Sequence, residues 1–170
     1  MKRSNVISVV MFLLITSSLT MNAQSERFKA LFLYNFIKNI EWPQNSSQSE
    51  VVIGILGNNA IKSELETITS NQKSGNQAIR VKVFTSVEEV TNCHIIYVSP
   101  NKSNQIAQLS SKVNRQSTLI VSDSRSGISQ GASINFIVND EKLKYEISKH
   151  YIEQQGMKVS ANLLKMGIEI

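Results

Sequence analysis

One cysteine, two histidines, one tryptophan and two prolines are all that the 170-residue sequence holds of those types. The single cysteine, Cys93, rules out an internal disulfide. Its neighbour His94 and the distant His150 are the only histidines, too few for the ligand sets that hold structural zinc. No metal ligand is assigned. Cys93 and His94 could act as nucleophile and base only if their side chains met. Neighbours on a strand point to opposite faces, so Cys93 is expected to be a small buried hydrophobe. There is no G-x-x-x-x-G-K-[ST] loop for phosphate, no H-E-x-x-H for zinc and no G-x-S-x-G nucleophile elbow. Gly54-Ile55-Leu56-Gly57 lacks the spacing of a dinucleotide fingerprint and is expected to be a strand-to-helix turn. No catalytic residue and no cofactor follow from these residues.

Long apolar runs are also missing. The strongest, Val6 to Ile15, is short for a bilayer span and gives way to polar residues from Thr16. Met1-Lys2-Arg3 precedes it, and small and polar residues follow up to Ala23. That is the layout of a cleaved secretory signal over residues 1–23 rather than a membrane anchor. No cysteine follows the expected cut, so a lipid-anchored form is not supported. Charge of one sign is scarce too: 18 Lys and Arg stand against 13 Asp and Glu, a net of +5. Removing Lys2 and Arg3 leaves 16 against 13, or +3. With no basic cluster, nucleic acid is not an expected partner. Residues 24–170 suit one domain with a sizeable core.

What is present begins with a helix from about Glu26 to Asn39. Phe28, Leu31, Phe32, Phe36 and Ile40 fall near the helical period, and Leu33 and Ile37 widen the stripe. Lys29 and Lys38 share the opposite side. Pro43 stops the helix and biases Trp42 away from helical dihedrals. So apolar a helix must cap one face of a sheet. After a Ser-rich loop, Gln44 to Glu50, the run from Val51 to Gly57 predicts a strand buried on both faces. Asn58 or Asn59 can cap a helix carrying Ile61, Leu65 and Ile68. A Gly75-containing turn leads to the strictly alternating Ile79–Val83, a strand toward an edge. A helical turn at Val87–Val90, a buried strand His94–Val98, a helix through Ile106, Leu109 and Val113, and a third buried strand Ser117–Val121 follow. This alternation predicts a parallel sheet with right-handed crossovers. Ile134–Val138 and Leu143–Ile147, joined at Asn139-Asp140-Glu141, predict an antiparallel hairpin. A helix from Ser148 to Gln155 stops at Gly156, and Ser160 caps a terminal helix with Leu163, Leu164 and Met166. The fold class is α/β: one domain with a mixed, mostly parallel sheet flanked by helices, a C-terminal hairpin and a terminal helix.

Among the polar residues, Ser122-Asp123-Ser124 falls at the carboxyl end of a predicted parallel strand, where α/β sheets place ligands. Arg125 beside it could meet an anion. The alternative is that Asp123 or Ser124 caps a helix. Asn35 lies near the apolar stripe, where a buried amide must find partners, so it clamps a neighbouring loop or meets a partner protein. Trp42 either packs under the helix end or stands exposed as an interface anchor.

Several segments together resemble the YfiR-like proteins, also called the DUF4154 family. They are Lys29-Ala-Leu-Phe-Leu-Tyr-Asn-Phe-Ile-Lys-Asn-Ile-Glu-Trp-Pro43, Val52–Gly57, Cys93-His-Ile-Ile-Tyr-Val-Ser99, Leu119–Ser124, Gly131, Ile134–Phe136, Lys144–Ile147 and Gly156–Lys165. They follow the family's order and cover nearly all of residues 24–170. The resemblance implies a periplasmic regulator, not an enzyme. Such a regulator holds an inner-membrane diguanylate cyclase inactive by binding its periplasmic part. It is itself relieved by an outer-membrane, peptidoglycan-associated lipoprotein, and the output is cyclic-di-GMP and biofilm formation. Some members form homodimers. Well-known members carry further cysteines for disulfides and redox response; with Cys93 alone, that switch cannot operate within one molecule.

The expected partner-binding residues are Phe28, Tyr34, Asn35 and Trp42. A second reading is a periplasmic small-solute-binding or sensor domain with Ser99, Asn101, Ser122, Asp123 and Arg125 lining a cleft. A third, a hydrolase using Ser122 or Ser124, needs a histidine within hydrogen-bond reach.

Overall fold

Helical residues 24–39 (α1) open the part of the chain that the computed structural model describes: residues 24–43, 50–57, 60–70, 73–74 and 77–170. The expected export signal over residues 1–23, most of the expected Ser-rich loop, the expected Asn58 or Asn59 cap and the expected turn at Gly75 lie outside those residues. After α1 come β1 (Ile40–Glu41), β2 (Glu50–Leu56), α2 (Lys62–Thr69), β3 (Lys73–Ser74) and β4 (Gln77–Phe84). Then follow β5 (Ile95–Val98), α3 (Ile106–Lys112), β6 (Leu119–Ser122), and the hairpin of β7 (Ile134–Asn139) and β8 (Lys142–Ile147). The chain ends in α4 (Lys149–Gln154), β9 (Lys158–Val159), α5 (Ala161–Met166) and β10 (Ile168–Glu169).

Among the described residues the main sheet has eight strands in the order β10-β8-β7-β6-β5-β2-β4-β3. β4, β2, β5 and β6 run parallel, as the alternation of strands and helices predicts, and β7 joins them parallel to β6. β7 and β8 pair antiparallel from Ile134↔Ile147 to Asn139↔Lys142. Their turn puts Asp140 and Glu141 at φ of 52° and 60°. Two consecutive left-handed residues match the right-handed twist of a two-residue hairpin. The short strands β1, β3, β9 and β10 were not legible in the sequence. β1 and β9 form a separate antiparallel pair, Ile40↔Val159, that ties the exit of α1 to the C-terminal segment.

Side chains of the buried strands divide by parity, as a sheet covered on both faces requires. Ile53, Ile55, Ile95, Tyr97, Leu119 and Val121 join one core, with α1, Ile61 and Leu65 of the α2 segment, Ile152 of α4 and Leu163 of α5. Val52, Leu56, Ile96, Val98 and Ile120 join the other, with Ile106 and Leu109 of α3. The order turns round at β2: the chain steps outward to β4, then returns past β2 to β5 and on to β6. Crossovers of constant hand therefore put α2 and α3 on opposite faces.

The caps at the C-terminal end match the sequence. Ser148 Oγ accepts from Tyr151 N–H, and Ser160 Oγ accepts from Leu163 N–H. α2 has Ile61 at its cap position and no side-chain cap bond.

The buried stripe of α1 is rotated from the expected one. Ala30, Leu33, Phe36, Ile37 and Ile40 are buried, whereas Phe28 and Leu31 are 47% and 41% exposed. Lys29, expected on the far side with Lys38, is buried. A carboxylate on the sheet gives it an ionic partner there, which apolar periodicity alone cannot reveal. Lys38 is exposed, its ammonium 4.2 Å from the centre of the Tyr34 ring. Asn35 is exposed rather than buried, and its carbonyl accepts from Asn39 Nδ2. The clamp is Asn39: its Oδ1 accepts from Ser160 Oγ at 2.9 Å and its carbonyl from Ser160 N–H.

Candidate functional site

The carboxyl ends of the parallel strands hold the polar residues that the sequence singles out. Ser122 ends β6 with no exposure, and its hydroxyl donates to Asn135 Oδ1 at 2.6 Å. The same oxygen accepts from Ser124 N–H at 3.2 Å, and Asn135 Nδ2 donates to Glu146 on β8. Gly127 closes over this group; a Cβ there would overlap Ser122 Oγ and lie 2.6 Å from Asn135 Oδ1. Asn135 is buried and bridges three elements, as a buried amide must when it finds all its partners. It stood in the hairpin pattern only as a strand residue.

Asp123 is turned toward α1. Its Oδ2 is 2.6 Å from Lys29 Nζ and accepts from the Tyr97 hydroxyl at 3.4 Å, while Lys29 also reaches Glu26 at 2.8 Å. Burial alone would pull the Lys29 ammonium down, but the hydrogen bonds and charges of Asp123 and Glu26 overcome it and hold its pKa above the ordinary 10.5. Tyr97, 2% exposed, is pushed upward, first by burial and then by the Asp123 charge. No helix starts at Asp123 or Ser124: the short 3₁₀ segment that follows has Gly127 at its cap position and no side-chain cap. The carboxylate therefore positions α1 on the sheet and does not cap a helix.

Beside this ion pair the surface opens into a groove with two lobes. The apolar lobe, about 560 Å³, is lined by Phe28 and Phe32 of α1 and by Val138, Glu141, Lys142 and Leu143 of the hairpin. The polar lobe, about 480 Å³, is lined by Lys29, Asp123, Ser124, Arg125 and Asn135 and shares Ser25, Val138 and Leu143 with the first. Arg125 is exposed and makes no ion pair among the described residues. Ser124 Oγ is shielded from solvent and has no hydrogen-bond partner among the described residues.

The two expected sets of site residues are thus brought together only in part. Phe28 lines the groove, with Leu31 and Asn35 exposed further along the same helix. Trp42 is elsewhere. It packs against the core with its ring 5.6 Å from that of His94, and its indole N–H is buried without a partner among the described residues. Of the solute-site residues, Asp123 and Arg125 line the polar lobe, while Ser122 lies beneath it, held by Asn135. Ser99 is buried next to β2, its N–H donating to Leu56 carbonyl. At the carboxyl end of β2, beside the point where the strand order turns round, Gly57 (φ 103°) packs against the segment after β5: a Cβ there would lie 2.5 Å from Lys102 Cγ and 2.8 Å from Asn101 Oδ1. Phe32, Val138 and Leu143 were missed as site residues. Their sequence signal is ordinary core periodicity, and only the offset between helix and hairpin leaves them at a surface.

No histidine serves the serines. His94 stands at the amino end of β5, its carbonyl accepting from Leu119 N–H, whereas Ser122 is at the carboxyl end of β6. Its Nδ1 accepts from Val52 N–H at 3.2 Å, and burial lowers its pKa. Cys93 packs on the opposite face, its thiol donating to Thr91 carbonyl at 2.9 Å. Among the described residues no three His, Cys, Asp or Glu side chains group as metal ligands, and no helix is long and apolar enough to cross a membrane.

A family profile described as DUF4154, YfiR/HmsC-like, matches residues 26–168. No curated protein matches the sequence. Among solved structures, an ABC domain in complex with L-Trp from Streptococcus pneumonia aligns with a TM-score of 0.51 and 12% identity, over 70% of this chain and 54% of that one. This chain thus spans about half the length of that protein, and at such identity the likeness shows the α/β fold alone.

Proposed function

The chain belongs to the YfiR/HmsC-like family, and from that membership we propose that it is a periplasmic inhibitor of an inner-membrane signalling protein of the diguanylate cyclase type. The family is one of periplasmic regulators. On this reading residues 1–23 direct export and are removed. The domain then binds the periplasmic part of its membrane partner, keeps cyclic-di-GMP and biofilm output low, and is released by an outer-membrane, peptidoglycan-associated lipoprotein. Homodimers belong to the same scheme.

The observation that carries this reading is the family match, which runs over residues 26–168, from α1 to the start of β10. The groove between α1 and the hairpin supports it. A regulator that acts by contact needs an exposed apolar surface, and Phe28 and Val138, 47% and 75% exposed, meet at one.

The test is capture. The full chain, expressed with its own leader and purified from the host, is immobilised and exposed to detergent extracts of the host's membranes. Recovery of a membrane protein with a cytoplasmic cyclase domain, together with a rise in cyclic-di-GMP when the gene is deleted, supports the proposal. Recovery of a kinase-type sensor instead, with cyclic-di-GMP unchanged, discards the cyclase and keeps the binding role. Failure to recover any membrane protein, with a small molecule raising the melting temperature, overturns the proposal in favour of solute binding.

A further inference from the structure

We infer that the groove between α1 and the β7–β8 hairpin receives a partner segment in which a large apolar side chain and a carboxylate stand within a residue or two of each other. This deepens the binding role above and rests on it.

The apolar half of that specification comes from the lobe lined by Phe28, Phe32, Val138 and Leu143. Scattered exposed apolar residues mean nothing by themselves. Here Phe28 from the helix and Val138 from the hairpin face one concavity, and Phe32 and Leu143 in its floor are packed against the core. A ring or branched chain seated there would leave water on contact with four apolar side chains.

The acidic half comes from charge. In the adjoining lobe Lys29 is already neutralised by Asp123 and Glu26. Arg125 is the cation left over, exposed and without an ion pair among the described residues. A carboxylate is the group that an unpaired guanidinium holds by two parallel hydrogen bonds. The two lobes share Ser25, Val138 and Leu143, so one short stretch of chain reaches both. A basic segment would meet Arg125 unfavourably.

Selection from a phage-displayed library of random peptides on the immobilised full-length protein tests this directly. The wild type should enrich sequences with an aromatic or aliphatic residue one or two positions from an Asp or Glu, on either side. Arg125→Glu should replace that acid with Lys or Arg and weaken the wild-type peptides by about tenfold or more. Val138→Glu should lose the apolar preference. Both side chains are exposed, so unchanged melting curves would confirm folding. No enriched motif, or the same motif from Arg125→Glu, overturns the inference. So does a homodimer dispersed by Val138→Glu, which would make a second copy the occupant. Capture of the membrane partner at equal strength by all three proteins would remove the groove and leave the regulator standing. The predicted motif without any membrane partner would keep the groove and remove the regulator.

Discussion

Lys29 of α1 and Asp123 at the end of β6 meet at 2.6 Å, and with Glu26 they form an ion-paired group at the edge of the groove. The first helix is thereby fixed to the carboxyl end of the sheet by a charge pair as well as by its apolar stripe. Replacing Lys29 with Met leaves the Asp123 carboxylate beside the Tyr97 hydroxyl without its cation. Exposed pairs are worth less than about 1 kcal/mol and breaking fully buried ones costs about 3–5. With the two side chains 10% and 24% exposed, Lys29→Met should cost about 2 kcal/mol at pH 7 by urea unfolding. The folded pKa of Lys29 lies above its unfolded value. The pair's contribution is therefore complete below about pH 10.5 and is lost as pH rises through the folded value. The stability gap between wild type and Lys29→Met should close in strongly alkaline solution. A gap that stayed constant would show that only packing is at stake.

The rotation of α1 makes a second prediction. Phe36 is fully buried, with ring centres 5.2 Å from Tyr145 and 6.1 Å from Phe136. Phe36→Ala should cost about 3–5 kcal/mol. Phe28→Ala, at the groove, should change stability by under about 1 kcal/mol and act on partner capture instead. If the two costs were equal, the stripe would be the one that simple periodicity suggests.

That stripe marks how far the sequence could be read. The parallel core was legible because Val51–Leu56, Ile95–Val98 and Leu119–Ser122 are near-continuous apolar runs, and the hairpin because two alternating segments flank Asn139-Asp140-Glu141. β1, β3, β9 and β10 are two residues each, below the length at which any period can show. The groove was half legible. Asp123 and Arg125 could be placed from the carboxyl end of a parallel strand, and Phe28 from the first helix. The pairing of Asp123 with Lys29, the Asn135 bridge from Ser122 to Glu146 and the exposure of Val138 depend on contacts between distant segments. A charged residue inside an apolar stretch gives no local sign of whether a partner waits across the sheet.

The lone thiol yields a third prediction. Burial pushes Cys93 up to about 11 from a usual 9.0, despite the opposing charge of Lys82. Two units lower the thiolate fraction about a hundredfold near neutral pH, and the thiolate is the reactive form. Native protein should react with a thiol reagent at pH 7.5 at least about a hundredfold more slowly than urea-unfolded protein. Under mild oxidant it should stay free of disulfide-linked dimers on a non-reducing gel. Rapid native labelling or a linked dimer would place the sulfur at the surface and reopen redox control between molecules.

His94 supplies the pH-dependence on the acid side. Burial lowers its pKa, its Nδ1 accepts from Val52 N–H, and the Trp42 ring meets it edge-on. A protonated ring could no longer accept that bond. The folded state therefore resists protonation while the unfolded state binds the proton near its usual 6.5. Stability from this site is whole above about pH 6.5 and falls as pH drops below it. His94→Gln keeps an acceptor without a titrating group. It should be less stable than wild type at pH 8, through lost packing against Trp42, and close that gap as pH falls toward 5. Trp42, the only tryptophan, gives the readout: in folded wild type its fluorescence should change only below about pH 6.5, and it should stay level in His94→Gln. A wild-type signal that already changes with its midpoint at or above about pH 6.5, with a stability gap that does not narrow, would mean that His94 is protonated as readily in the fold as outside it.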